Sequence, residues 1–248
     1  MSKIDIGQKK AEQIKKMFDN IASTYDRTNS LLSLGLHRLW NQKLVFSLAP
    51  PSHPHQFLDV CTGTGEIAFA YLKQFTVPCQ AYLLDFSELM LESAQKKSAF
   101  FSPTPHTLSF VQADATKIPL PKNCVDRASL AYGIRNIQDP CLAVQEIYRV
   151  LKPGGRLGIL ELTRPTNWFF AALHASYLRW VVPTLGRLSS KNSTAYQYLN
   201  ESISHFMSPQ ELVFLLQGAG FVDVQFKPLT RGIATLVIAS KDASICSS

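Results

Sequence analysis

The chain of 248 residues carries a formal net charge of +7, and its residues are 46% hydrophobic, 17% charged and 10% aromatic. This composition is typical of a globular protein and excludes an intrinsically disordered chain, which would hold fewer apolar and more charged residues. It also argues against a membrane-spanning chain, because no uncharged apolar run reaches the roughly 18 residues that a spanning helix needs.

Two helices are predicted at the start of the chain. Residues 8–24 place apolar side chains at intervals of three and four, and residues 37–48 repeat this spacing, which is that of one helix face. A proline-rich stretch over 50–54 then interrupts the helical pattern.

Short apolar runs and helical patterns alternate in the next part of the chain. The strands are predicted over 56–61, 80–84, 108–111, 125–131 and 156–160, and the helices near 66–75, 87–99 and 139–151. Alternation of this kind predicts right-handed crossovers and a parallel, doubly wound, Rossmann-like sheet of the α/β class.

The end of the chain departs from that alternation. Strand-like runs at 221–226 and 233–239 are separated by about six residues, too few for a crossover helix, so they should form an antiparallel hairpin. We predict a single domain over 1–248, composed of a helical cap (1–50), a ligand-binding core (51–162), a helical insertion (163–220) and a terminal hairpin (221–240).

The cysteines and the first residues bear on location and on metals. The five cysteines are odd in number and form no CxxC pair, which argues against a disulfide framework and a zinc site, so no metal is predicted. The first 25 residues lack the continuous apolar core of a secretory signal, and we expect a cytoplasmic protein. Lysine and arginine are dispersed, so nucleic acid is not an expected partner.

A turn with two glycines lies in the stretch LDVCTGTGE, residues 58–66. Such a turn directs backbone N–H groups and the positive end of a helix dipole at a ligand. From Gly63 the sequence matches G-x-G-x-x-A, a form of the dinucleotide fingerprint, and Asp85 follows Gly65 by 20 residues, where an acid can bind ribose hydroxyls. The alternative is that the glycines form only a tight strand-to-helix corner.

Three acids distinguish the candidate ligands. Asp114 follows the third predicted strand, at the same sheet edge as Asp85, and Asp59 precedes the glycines. Asp85 and Asp114 could accept hydrogen bonds from an adenosine, while Asp59 could meet an ammonium group. The carboxylates would repel a pyrophosphate, so the pattern favours a sulfonium compound over NAD.

These features resemble those of the class I S-adenosylmethionine-dependent methyltransferases, whose sheet also ends in an antiparallel hairpin. The segment LKPGG at 151–155 is similar to the turn that follows a helix in that superfamily. Four further segments resemble one branch, the C-methyltransferases of ubiquinone and menaquinone biosynthesis, over about residues 9–240. They are MFDNIASTYD (17–26) with Asn29, LGLHRLW (34–40), YGIRN (132–136) and YQYLNESI (196–203).

The resemblance implies S-adenosylmethionine as the cofactor and a set of residues that contact it. The implied residues are Asp59, Gly63, Thr64, Gly65, Asp85, Asp114 and Ala115. One position departs from the family pattern, because Ala131 stands where many members carry a small hydroxyl residue.

The resemblance also implies the reaction, which is methyl transfer to a ring carbon of a polyprenyl quinol. Demethylmenaquinol is the expected acceptor, and the benzoquinol of the ubiquinone pathway is a second one. An aromatic carbon is a poor nucleophile until a neighbouring phenol loses its proton, so a base or hydrogen-bond acceptor is expected nearby. We favour Arg135 and Asn136 as groups that orient the quinol oxygen or a water. The other candidates for the base are His37, Tyr25 with Asp26, Tyr132, Tyr196 and His205.

An apolar helix face in the insertion is a candidate route for the prenyl tail. It consists of Trp168, Phe169, Phe170, Leu173, Tyr177, Trp180 and Val181, interrupted by His174 and Arg179. This face could be ordinary core, a tail tunnel or a peripheral contact with an inner membrane surface, and the chain could also form a homo-oligomer. Two other functions stay open on the sequence, an NAD-dependent oxidoreductase and a non-catalytic basic binding module.

Overall fold

The computed structural model describes residues 3–22, 24–101, 105–181 and 193–246. Its first elements are the helices α1 (Lys3–Ile21), α2 (Tyr25–Leu32) and α3 (Leu36–Ser47). The sequence predicts one helix over 8–24, but α1 ends earlier because the backbone N–H and the hydroxyl of Thr24 both donate to the Ile21 carbonyl. The structure also has a helix, α2, between the two that were predicted, and α3 corresponds to the second of them.

Within the described residues, seven strands form one sheet in the order β3-β2-β1-β4-β5-β7-β6. They are β1 (His55–Val60), β2 (Cys79–Asp85), β3 (Thr107–Gln112), β4 (Val125–Ala131), β5 (Leu151–Leu162), β6 (Phe221–Leu229) and β7 (Ala234–Lys241). The first five are parallel, and β7 is antiparallel to both β5 and β6. The predicted fold class, a mostly parallel α/β sheet with a terminal antiparallel hairpin, is confirmed.

Helices cover both faces of this sheet. The described helices that follow α3 are α4 (Glu66–Gln74), α5 (Glu88–Ser98), α6 (Pro140–Val150), α7 (Trp168–Ser176), α8 (Ser193–His205) and α9 (Pro209–Gly218), and of these α4, α5, α6 and α9, together with α3, pack on the sheet. Because successive strand residues point to opposite faces, Leu58 packs with α6 and α9, whereas Phe57 packs with α3 and α4. No helix in the described part of the chain is long and apolar enough to cross a membrane.

Strand β5 begins earlier than the sequence predicts. Leu151 pairs with Val125, and a register shift follows before Arg156 pairs with Arg127. The segment LKPGG is therefore the irregular first part of a strand and not a free turn between α6 and β5. The shift lets the chain leave α6 and join the sheet without an intervening loop.

Candidate active site

The glycine turn lies between β1 and α4, at the carboxyl edge of the sheet. Gly65 has a φ of 82°, and a Cβ there would lie 2.5 Å from the Phe69 ring, so a larger residue would fit poorly. The Gly63 N–H donates to Asp85 Oδ2 at 2.7 Å, and the Ser87 N–H donates to Asp85 Oδ1 at 2.9 Å. The carboxylate at the end of β2 thus holds the turn in place.

A cavity of about 220 Å³ opens beside this turn, and we call it the cofactor cavity. Its polar wall includes Gly63, Asp85 and Asp114, and Ala115 lies next to them. Burial raises the pKa of Asp85, although the backbone N–H groups that it accepts act in the opposite direction. The apolar wall includes Ile14, Phe18, Met90, Ile137 and Leu142.

These residues fit S-adenosylmethionine in chemical type. Asp85 offers an acceptor for ribose hydroxyls, Asp114 offers one for an exocyclic amine, and the apolar residues can cover an adenine ring. Gly63 brings bare backbone to the cavity wall, with no side chain to restrict the approach of a ligand. The two carboxylates also favour a positively charged ligand over a pyrophosphate.

Asp59 does not line the cofactor cavity. It is 1% exposed, and its two oxygens accept hydrogen bonds from Ser129 at 2.5 Å and Thr62 at 2.6 Å. Burial raises its pKa to about 6. The structure therefore places Asp59 beneath the turn, where it joins β1 to β4 and supports the glycine backbone.

Thr64 and Gly65 also lie behind the cavity wall. The Thr64 hydroxyl donates to Asp26 Oδ1 at 2.6 Å, and the other carboxylate oxygen of Asp26 forms an ion pair with Lys97. Asp26 thereby attaches α2 to the turn and to α5. Of the predicted cofactor residues, the structure brings Gly63, Asp85, Asp114 and Ala115 to the cavity itself.

Helix α1 covers the cofactor cavity, which the sequence pattern did not indicate. Ile14, Lys15 and Phe18 line the cavity, and Asp19 Oδ1 accepts a hydrogen bond from the Ser87 hydroxyl at 2.5 Å. The amphipathic spacing of α1 predicts only that one of its faces is buried. It does not reveal which surface that face covers.

A second cavity of about 400 Å³ lies beside the first, between α2, α3, α7 and α8, and we call it the acceptor cavity. Tyr25 and Tyr132 line both cavities, so these two side chains lie where the cavities meet. The remaining wall is mainly apolar and includes Leu32, Leu36, Trp40, Leu162, Phe170, Tyr177, Leu199 and Ile203.

Both tyrosines at this junction are neutral phenols at neutral pH. Burial raises the pKa of Tyr25 and raises that of Tyr132 well above its ordinary value. The Tyr132 hydroxyl donates to Asn41 Oδ1 at 2.9 Å. Both were predicted candidates for the base. As neutral phenols they are better suited to donate a hydrogen bond or to pack against a ligand than to accept a proton.

Arg135 lies in the wall of the acceptor cavity and pairs with the buried Glu161. The two side chains are 7% and 0% exposed, and Arg135 Nη1 also donates to the Tyr132 carbonyl at 2.7 Å. Burial raises the pKa of Glu161, while the Arg135 charge acts against that rise. Arg135 Nε is buried and has no partner among the described residues.

Sequence reasoning missed Glu161, although a signal for it exists. The residue stands in the otherwise apolar run GILEL of β5, and a buried acid is costly unless it has a partner. That placement could have prompted a search for a cation at the same sheet edge.

Asn136 lies on the other side of the junction, in the wall of the cofactor cavity. Its amide nitrogen lies 3.3 Å from the Tyr132 carbonyl, and its Oδ1 accepts from the Tyr198 hydroxyl at 2.9 Å. Tyr198 is the second tyrosine of the YQYL segment, whereas the side chain of Tyr196 lies outside the described residues. Arg135 and Asn136 thus contribute to adjoining cavities.

His37 lies in the acceptor cavity with both ring nitrogens engaged. Nδ1 lies 2.7 Å from Ser33 Oγ, and Nε2 lies 3.2 Å from Glu66 Oε1. It therefore joins α3 to the start of α4, with no ring nitrogen left for another partner. His205 is exposed, bonds to the Glu201 carbonyl and lines neither cavity.

The predicted apolar face of the insertion divides into two groups. Phe170, Leu173 and Tyr177 line the acceptor cavity, and the Tyr177 hydroxyl donates to the Leu32 carbonyl at 2.9 Å. His174 also lines the cavity, and burial lowers its pKa. Trp168, Phe169 and Trp180 face outward and are exposed. The side chain of Val181 lies outside the described residues.

Comparison with known proteins gives a consistent match. The model of the ubiE/COQ5 methyltransferase family matches residues 6–241. A demethylmenaquinone methyltransferase of Protochlamydia amoebophila is 48% identical over 230 residues, which are 93% of this chain and 95% of that protein. One from Chlamydia trachomatis serovar L2 is 44% identical over 231 residues, covering 92% of this chain and 96% of that protein.

A solved structure matches in fold alone. The S-adenosylmethionine-dependent methyltransferase of Aquifex aeolicus superposes with a TM-score of 0.58 at 19% identity, covering 81% of this chain and 88% of that one.

Proposed function

Because the chain belongs to the ubiE/COQ5 methyltransferase family, we propose that it transfers the methyl group of S-adenosylmethionine to a ring carbon of demethylmenaquinol. The chain is an S-adenosylmethionine-dependent methyltransferase, and the acceptor follows the names of its relatives. Neither an NAD-dependent oxidoreductase nor a basic binding module is supported by these relatives. The observation that supports the proposal most directly is the junction of an acid-lined cavity with an apolar cavity at Tyr25 and Tyr132.

On the cofactor side, the chain's residues bind S-adenosylmethionine and orient it. Asp85 and Asp114 would hold the nucleoside, and the Gly63 backbone would face the amino-acid part. When bound, S-adenosylmethionine supplies a methyl group activated by a positively charged sulfur. Holding reactants in a productive arrangement can lower the activation barrier by about 7 kcal/mol or more. The fixed turn would therefore contribute to catalysis by positioning the cofactor.

On the acceptor side, Arg135 is the residue best suited to activate the quinol. Its charge and its unpaired Nε–H would favour the oxyanion that forms when a hydroxyl of the ring passes its proton to a water molecule in the cavity. Electron density from that oxygen makes the neighbouring ring carbon nucleophilic. Glu161 and the Tyr132 carbonyl keep the guanidinium in one orientation, and Tyr132 and Tyr25 confine the ring at the junction.

The apolar acceptor cavity is also suited to hold a prenyl tail. The cavity reaches the surface at Leu34 and Leu173, which line it and are exposed. A polyprenyl tail is insoluble in water and keeps its quinol in a lipid bilayer. We therefore propose that the enzyme works in the cytoplasm as a peripheral protein on the inner membrane surface.

The test is a methyl-transfer assay with labelled S-adenosylmethionine and two acceptors, demethylmenaquinol and the corresponding benzoquinol. We expect labelled menaquinol from the first, and the second arm decides whether the ubiquinone pathway is served. Arg135→Gln should lower the rate constant by about a hundredfold and leave cofactor affinity unchanged, because Arg135 lies outside the cofactor cavity. Asp85→Ala should weaken cofactor binding about tenfold or more.

Two results would contradict the proposal. One is that neither quinol becomes labelled although the cofactor binds normally. The other is an Arg135→Gln enzyme that transfers methyl groups at the rate of the unmodified enzyme.

A further inference from the structure

An exposed apolar face on α7 and the turn after it has no role in the chemistry described above. It consists of Trp168, Phe169, Leu173 and Trp180, which are 55% to 79% exposed, and we call it the α7 patch. Monomeric proteins rarely leave several large apolar side chains together in water. Tryptophan is also enriched where proteins meet the boundary between lipid and water.

The α7 patch borders the opening of the acceptor cavity. Leu173 belongs to both, because it is exposed and lines the cavity. Leu34 lines the same cavity from the loop between α2 and α3 and is 71% exposed. A ligand that entered the cavity at this opening would pass along the patch.

Three stretches of the sequence that contribute to this side of the molecule contain no acidic residue, although Asp26 and Glu201 lie on the helices α2 and α8 that border the cavity. Asp and Glu are absent from 27–58, 163–200 and 224–241, although the chain has 18 of them. Cations accompany the patch, since Arg179 lies over the Trp180 ring and Arg231 lies over the Phe170 ring. By contrast, Asp85, Asp114 and Asp139 line the cofactor cavity. The two cavities therefore differ in their acids, since no carboxylate of the described residues lines the acceptor cavity.

We propose that the α7 patch docks on an anionic lipid bilayer, with the opening of the acceptor cavity turned towards the membrane. Aromatic side chains would enter the interfacial region, and Arg179 and Arg231 would meet lipid phosphates. A prenyl tail could then reach the cavity without crossing water. The proposal rests on the proposed function for its purpose, but vesicle binding tests the surface by itself.

The first experiment measures co-sedimentation of the full chain with vesicles that contain no quinol. The unmodified protein should bind vesicles of phosphatidylglycerol and phosphatidylcholine, and bind less as salt is raised or when phosphatidylglycerol is omitted. The double variant Trp168→Ser with Trp180→Ser should bind at least about tenfold more weakly. The matched control is Phe214→Ser on α9, which removes an aromatic residue that is 71% exposed but lies outside the patch.

The second experiment separates docking from catalysis. Trp168 and Trp180 do not line the acceptor cavity, so the double variant should methylate a quinol with a truncated tail in solution at the normal rate. It should methylate a full-length quinol in vesicles at least about tenfold more slowly.

Several outcomes would overturn the docking surface. They are unmodified protein that stays in solution with anionic vesicles, a double variant that binds them normally, and a Phe214→Ser control that loses binding equally. A protein that binds through the patch but methylates neither quinol would leave the surface standing and refute the proposed function.

Discussion

At the scale of single residues, burial decides what a carboxylate can do. Asp59 lies next to the last residue of β1 and Asp85 is the last residue of β2, yet only Asp85 lines the cofactor cavity. The hydroxyls of Ser129 and Thr62 stabilise the Asp59 carboxylate without fully compensating the loss of water, and its pKa therefore remains raised, at about 6. Asp59 therefore has a structural role, and burial of its ionised carboxylate lowers the stability of the fold.

That raised pKa predicts a pH dependence of stability. The pKa of Asp59 rises from 3.8 to about 6 on folding, so between these values the folded chain binds more protons than the unfolded chain. The free energy of unfolding should therefore fall as pH rises from 4 to 6, by about 2 kcal/mol from this residue. The Asp59→Asn variant should lack this fall in urea unfolding measured across that range.

The control for this measurement is Glu12→Gln, because Glu12 lies exposed on α1. It should reproduce the pH dependence of the unmodified protein. Parallel curves for the unmodified protein and the Asp59→Asn variant would show that Asp59 keeps its ordinary pKa in the folded state.

At the scale of elements, close backbone approach fixes how the helices sit on the sheet. Helix α3 packs on β5 where Gly158 faces Leu44 and Leu48. The absence of a side chain at Gly158 brings α3 near the sheet, and His37 and Trp40, at the start of the same helix face, line the acceptor cavity. The position of a site residue therefore depends on a glycine in another element.

This contact predicts that Gly158→Ala is destabilising. The added Cβ would lie 2.5 Å from Leu44 Cδ1 and 3.1 Å from Leu48 Cδ1. Overpacking of this kind should lower the free energy of unfolding by about 1–3 kcal/mol, measured by urea unfolding. Gly218→Ala is the matched control, since nothing lies within 4 Å of its added Cβ, and it should be neutral or slightly stabilising. Equal stability of the two variants would refute the close packing of α3 on β5.

At the scale of the whole molecule, the active site is assembled from distant parts of the chain. The sheet supplies Asp85 and Asp114, while α1 covers the cofactor cavity with Ile14 and Phe18. The tie between α1 and the core at Asp19 and Ser87 is local, so this helix should open more readily than the sheet. Ligand binding would bury α1 further.

Hydrogen exchange tests this arrangement. Saturating S-adenosylmethionine should slow amide exchange in α1 by about tenfold or more, because the ligand adds contacts that opening must break. Helix α9 packs against β6, away from the cofactor cavity, and serves as the internal reference. Exchange in α1 that does not respond to the cofactor would show that α1 does not close over it.

The sequence by itself determined the α/β class, the glycine turn and the acids that follow β2 and β3. Periodicity and strand-end position are local properties, so they can be recognised in the sequence without knowledge of the tertiary contacts. It also indicated Arg135 and Asn136, although through resemblance to a family and not through spacing.

Only the tertiary structure decided which of these groups meet. Three features each join distant segments of the chain. They are the pairing of Arg135 with Glu161, the burial of Asp59 against Ser129, and the position of Tyr25 and Tyr132 between the two cavities. Burial and long-range packing set these contacts. Neither can be inferred from the spacing of residues along one element, because the neighbours that bury a side chain belong to other elements.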